Sequence, residues 1–149
     1  LIIITIIIFI LTMTSCGQVG RADRIEYSGS LTQGMNLSDL KNASENTRSC
    51  QIHNYYLFSN EKEIVVSELD NDDKTTIVNI FSYKYFTPSD ENFTSIKPGM
   101  NFVDVIEWAG FPYEQNTFGI DSTDFRSASG IIYRIQWGND LTVVDVVKV

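Results

Sequence analysis

The sequence predicts an α+β fold of two tandem helix-plus-antiparallel-strand repeats, with the helices packed on an antiparallel sheet. Three observations predict it. The first is Ser95–Pro112, SIKPGMNFVDVIEWAGFP, which encodes a turn, a capped helix and a helix stop. Pro98-Gly99 suits the centre of a type II turn, because Pro fixes φ and Gly accepts φ > 0. Asn101 with Asp104 spells a capping box, and Met100 with Val105 a hydrophobic staple. Phe102, Val105, Ile106 and Ala109 form one apolar stripe, and Gly110 and Pro112 stop the helix. The second observation is that Ser30–Ala43, SLTQGMNLSDLKNA, repeats the same order. Gly34, Met35, Asn36, Asp39 and Leu40 match Gly99, Met100, Asn101, Asp104 and Val105 at a constant offset. The third is that each helix signal is followed by β-rich runs broken by turn residues. The last hairpins of the two halves align, Glu63–Leu69 with Ile131–Trp137 and Thr75–Ser82 with Leu141–Lys148.

In chain order, Leu1–Met13 is almost wholly apolar and leads into Thr14-Ser15-Cys16-Gly17. Such a run ending in small residues reads as an export signal, and it is too short to span a bilayer. The chain begins with Leu, so a gene start further upstream is expected. This gives a signal over residues 1–15, a polar tether over 16–29, one repeat over 30–94 and a second over 95–149. The first helix is expected over Leu37–Ala43 with Leu37 and Leu40 inward. Lys41 and Ser44 interrupt its stripe, so it is expected to be short or exposed.

Ile52–Phe58 is expected as one strand, Glu63–Leu69 as the next and Thr75–Tyr85 as a long third. In the third, alternation puts Ile77, Phe81, Tyr83 and Tyr85 on one face and Val78 and Ile80 on the other. Pro88–Asn92 reads as a connector. Tyr113–Phe118 reads as a short strand, Gly119–Gly130 as a polar mobile loop, and Gly138-Asn139-Asp140 as the final hairpin turn. The strands are expected in one continuous or face-sharing sheet that buries the helix stripes.

Composition narrows the function. Hydrophobic content of 43% and charged content of 20% fit a globular chain. A net charge of −8 argues against nucleic acid as a partner and gives no attraction to anionic lipid.

Met13-Thr14-Ser15-Cys16 resembles the bacterial lipobox. That resemblance implies a lipid on Cys16 as the first mature residue, and a membrane anchor rather than a span. Gly17, where an inner-membrane lipoprotein would carry Asp, implies the outer membrane or the surface in a cell with two membranes. Ile96, Gly99, Met100, Val105, Gly110 and Pro112, with the later Tyr133 and Trp137, resemble the motif of SmpA/OmlA-type lipoproteins and the wider β-lactamase-inhibitor-protein-like fold. The resemblance covers most of Ser30–Val149 and implies small exported domains with helices on an antiparallel sheet. Members include a lipoprotein that supports outer-membrane barrel assembly, and tandem-repeat inhibitors that clamp an enzyme with an aromatic face.

With Cys16 lipidated, Cys50 has no intrachain partner and reads as a small buried hydrophobe. His53 is the only His, and no nucleophile-elbow motif accompanies it. Asp70, Asp72 and Asp73 suggest a cation, but Thr75 and Phe81 stand where a calcium loop needs Gly and Glu, so a solvated turn is expected. No catalytic set, metal site or cofactor motif is read from the chain. The aromatic residues, 12% of the chain, carry the functional expectation. Tyr55 and Tyr56 alternate and cannot both face a core. Two readings stand for them and for Tyr83 and Tyr85: core packing, or a contact face for a protein partner. The expected function is a lipid-anchored, non-enzymatic envelope protein that binds another protein. The alternative is a small-ligand-binding lipoprotein with a pocket beside the Gly119–Gly130 loop.

Overall fold

A computed structural model describes residues 20–116 and 121–149. The signal segment and Cys16 lie outside the described residues, as do positions 117–120 of the expected strand and loop. The fold is mixed and mostly strands: two antiparallel sheets and three short helices among the described residues. Sheet one runs β1 (Arg24–Ile25), β5 (Ile77–Lys84), β4 (Glu63–Leu69), β3 (Tyr55–Ser59) and β2 (Arg48–Ile52). Sheet two runs β6 (Glu114–Asn116), β7 (Ser122–Arg126), β8 (Ile132–Trp137) and β9 (Val143–Lys148). The helices are α1 (Leu37–Ala43), α2 (Asp90–Thr94) and α3 (Phe102–Ala109).

The helix starts follow their local signals. At α1, Asn36 Oδ1 accepts from the Ser38 and Asp39 amides, and Asp39 Oδ2 accepts from the Asn36 amide at 2.9 Å, closing a capping box. At α3, Asn101 Oδ1 accepts from the Asp104 amide at 2.9 Å. Here the Asp104 carboxylate takes the Asn101 side-chain amide at 2.8 Å, so the second box is not closed through the backbone. Gly34 and Gly99 have φ of 86° and 88°, and each turn closes the same way. Met35 N–H donates to Thr32 O, and Met100 N–H to Lys97 O.

Phe102, Val105, Ile106 and Ala109 are all buried, the stripe read from the sequence. Burying each larger side chain contributes about 1.5–3 kcal/mol. This stripe shares one core with the inward residues of both sheets, including Leu57, Ile64, Tyr83, Phe125 and Ile135. An aromatic stack runs through that core. Tyr55 of sheet one lies 4.8 Å from Phe102, and Phe102 lies 5.3 Å from Trp137 of sheet two. The other face of sheet one packs Tyr56, Phe58, Val65 and Ile77 against Leu40 of α1.

Several expectations are corrected. The strands form two sheets around a shared core, not one continuous sheet. Ile52–Phe58 is not one strand. The chain reverses at His53-Asn54, with His53 at φ 51°, and Ile52 pairs with Tyr55. The long third strand is Ile77–Lys84 with an irregular register against Glu68/Leu69. That irregularity moves Ile80 to the same face as Ile77, against α1. Residues 88–92 are not a plain connector, because α2 begins after Ser89. The polar loop contains β7, whose Thr123 Oγ1 accepts from Trp137 Nε1 at 2.9 Å. Ser44, read as a break in the first stripe, is buried and shares a 2.8 Å hydrogen bond with the Tyr56 hydroxyl. The expected tether is docked from Gly20 onward. Gly20 O accepts from Asn92 Nδ2 at 2.7 Å, Ala22 N–H donates to Glu107 O at 2.7 Å, and Ala22 is buried.

Candidate functional site

The four tyrosines do not form one surface. Tyr83 has no exposed area and faces the shared core. Tyr56 is 7% exposed and faces α1 on the opposite side of the sheet. Both leave the expected contact face, because β-strand alternation carries them into two different cores. Tyr55 is half-buried by its stack on Phe102. Tyr85 is exposed at 36%, just past the end of β5, where its N–H donates to Lys62 O at 2.8 Å.

Tyr85 borders a cleft of about 300 Å³ whose other walls are Arg48, Phe111, Tyr113 and Arg126. A second cleft of about 320 Å³ continues from Arg48 and Tyr85 toward Asn60 and Glu61. Local structure brings these residues together. Gly110 ends α3 at φ 73°, and a Cβ there would stand 3.4 Å from the Phe86 carbonyl oxygen. The chain then turns through Phe111 and Pro112, both buried, and leaves Tyr113 exposed at 48%. Arg48 reaches across from sheet one. Its Nη2 donates to Pro112 O at 2.8 Å, and its guanidinium lies over Phe111 at 4.9 Å. Arg126, at the end of β7, lies over the Tyr113 ring at 5.6 Å. Cations over ring faces are held by the ring quadrupole. Among the described residues, neither guanidinium has a carboxylate within ion-pair distance, whereas Arg134 binds Asp124 at 2.7 Å. In a chain of net charge −8, this cleft therefore presents two cations without a paired anion.

The sequence reading missed Arg48, Tyr113 and Arg126. Arg48 opens the first strand of a hairpin that the sequence pattern does not show, and Arg126 ends a strand inside the polar stretch that reads as a loop. The usable signal was the Phe-Pro-Tyr run after a helix stop, which sets an aromatic residue at a surface corner.

A further cleft of about 530 Å³ lies elsewhere, between the His53–Asn54 turn and the Asn139–Leu141 turn. His53 Nε2 stands 3.0 Å from Asp121 Oδ2 and ties the first sheet's hairpin to the start of β7. The acidic turn is self-contained. Asp70 Oδ1 accepts from the Asp72 and Asp73 amides. Asp73 accepts from Thr75 and Thr76, which hold its carboxyl down at about 2. Cys50 is half-buried against the shared core, and burial pushes its thiol up to about 12. No protein family, curated protein or solved structure matches this chain.

Proposed function

We propose that this chain is a lipid-anchored cell-envelope protein that binds another protein, non-enzymatically, through the Arg48–Tyr85–Tyr113–Arg126 cleft. The observation that carries the reading is the pair of guanidiniums laid over aromatic rings, with no carboxylate at ion-pair distance among the described residues, on an otherwise acidic molecule. Tyr and Arg dominate interface hot spots, because each offers large contact area with a polar end. A partner segment that presents carboxylates and an apolar side chain fits both features.

Two further readings accompany it. The lipobox-like Met13–Cys16 supports lipid on Cys16. Gly20, four residues later, is held by Asn92, a reach of at most about 14 Å from Cys16. An anchor there holds the domain close to the bilayer. The second is tandem duplication of the SmpA/OmlA and β-lactamase-inhibitor-protein-like kind. The matched φ of Gly34 and Gly99 supports it. So do the matched bridges Asn36–Thr76 and Asn101–Thr142, and a helix before each four-strand meander. The small-ligand alternative is less favoured, since ligand pockets are mostly enclosed and apolar, and the clefts here are open and mixed in polarity.

The test has two arms. Cys16→Ser is expected to leave a salt-washed membrane pellet; if it stays, the anchor reading fails. Affinity isolation with the wild type is expected to recover a partner that Tyr113→Ala and Arg126→Ala each lose by about 30-fold, the scale of a hot-spot contact. Both variants should keep the wild-type melting temperature. Equal recovery with both variants contradicts the cleft as the contact surface.

A further inference from the structure

We propose that the cleft of about 530 Å³ between the hairpin turns of the two sheets binds a short, uncharged saccharide. This second site stands apart from the Tyr85 cleft. Three turns build it: His53-Asn54 between β2 and β3, Asn71–Lys74 between β4 and β5, and Asn139–Leu141 between β8 and β9. Its volume falls in the range of small-molecule sites, about 300–1,000 Å³.

The backbone of all three turns is strained. His53, Lys74 and Leu141 have φ of 51°, 52° and 55°, three of the five non-glycine residues with positive φ among the described residues. Side chains disfavour this region, and residues held there cluster at ligand sites. Here the surroundings fix them. Asn54 is clipped to Leu69, whose N–H donates to Asn54 O at 2.6 Å and whose carbonyl accepts from Asn54 Nδ2 at 3.3 Å. Lys74 N–H donates to Asp70 O at 2.9 Å, and Leu141 N–H to Gly138 O at 3.0 Å. The Leu141 side chain is buried in the shared core, and His53 is held by Asp121. One such turn is ordinary in a hairpin, but three around one cleft set its walls in fixed positions.

The walls carry hydrogen-bonding groups of both kinds. Glu68 Oε2 accepts from Asn79 Nδ2 at 2.7 Å. Asp140 Oδ1 accepts from Thr142 Oγ1 at 2.7 Å and from the Thr142 amide at 3.2 Å. Each carboxylate is thus oriented by one oxygen, and among the described residues keeps the other for a ligand. The Thr142 bonds also hold the Asp140 carboxyl below its ordinary pKa, so it stays an acceptor. The side chains of Asn71, Lys74 and Asn139 have no hydrogen-bond partner among the described residues, and they supply donors.

Charge and polarity then select the ligand. An anion meets Glu68 and Asp140, and an organic cation meets Lys74. The described residues hold no group of three side chains suited to a metal ion. An apolar ligand would strip water from amides and carboxylates without replacing its hydrogen bonds. A neutral polyhydroxylated ligand satisfies the whole set, since its hydroxyls donate to the carboxylates and accept from the amides and Lys74. Tyr55, half-buried on Phe102 at 4.8 Å, adds aromatic surface to the wall. The negative face of such a ring attracts the C–H groups of a sugar. The openness that disfavours an apolar ligand suits a hydroxylated one, whose outer side stays hydrated.

The probes are cellobiose and N,N′-diacetylchitobiose, titrated separately into the isotope-labelled full chain in phosphocholine micelles, which carry no sugar. The Asn71 and Asn139 side-chain amides and the Tyr55 ring are expected to shift saturably with at least one of them. Asn71→Ala and Asn139→Ala each remove an exposed side chain, so both should keep the wild-type melting temperature. Each is expected to raise Kd by about tenfold, the scale of one lost hydrogen bond. In the wild type, nuclear Overhauser contacts from sugar C–H protons to the Tyr55 ring decide without any variant. No saturable shift with either disaccharide, a response only at Tyr85 and Tyr113, or an affinity unchanged in both variants overturns the proposal.

Discussion

Tyr83 carries its phenol into the shared core with no accessible surface, and its hydroxyl has no hydrogen-bond partner among the described residues. Burial first, and the nearby Glu107 charge second, push its pKa well above the usual phenol range. A buried, unsatisfied hydroxyl costs about 1–3 kcal/mol. Tyr83→Phe is therefore expected to leave stability unchanged or raise it by about 1 kcal/mol, while Tyr83→Ala loses about 3–5 kcal/mol. Urea denaturation checks both, and a large loss in Tyr83→Phe contradicts the unsatisfied hydroxyl. Tyr85, two residues on, was read onto the same face as Tyr83, and that parity is sound within a strand. The strand ends at Lys84, so the alternation no longer applies to Tyr85. Sequence pattern gives direction, but it does not show where pairing stops.

Gly34 and Gly99 show what was legible at the level of elements. Their φ values are 86° and 88°, and neither would bring a Cβ within 4 Å of another atom. Any substitution penalty there is backbone strain alone. Gly34→Val and Gly99→Val should each destabilise by about 1–3 kcal/mol, and by similar amounts. Thermal melts of the two variants check this; a cost at one site and none at the other contradicts equivalence of the two turns. Turns, caps and the α3 stripe were readable because their signals lie within a few residues. The hairpin at His53-Asn54 was not, since no Gly or Pro breaks the β-forming run and a non-Gly residue takes φ > 0. Strand β7 was hidden for a different reason. Its buried Thr123 and Asp124 are satisfied by Trp137 and Arg134, partners that only the folded sheet supplies.

For the whole molecule, the contacts that join the two sheets also build the proposed site. Arg48 leaves sheet one and is fixed on Pro112 and Phe111, and Tyr113 follows directly. His53 and Asp121 tie the opposite end. The cleft thus depends on residues 48, 85, 113 and 126, which no local pattern connects. Of the tyrosines singled out in the sequence, only Tyr85 borders it. The most direct measurement is photo-crosslinking in intact cells from a benzophenone amino acid at position 113, with and without Arg126→Ala. One discrete protein adduct is expected from position 113, weakened by Arg126→Ala, and no adduct that depends on Arg126 from a control probe at the exposed Val144. Position 113 yielding no adduct, or an adduct indifferent to Arg126, would contradict a partner held in this cleft.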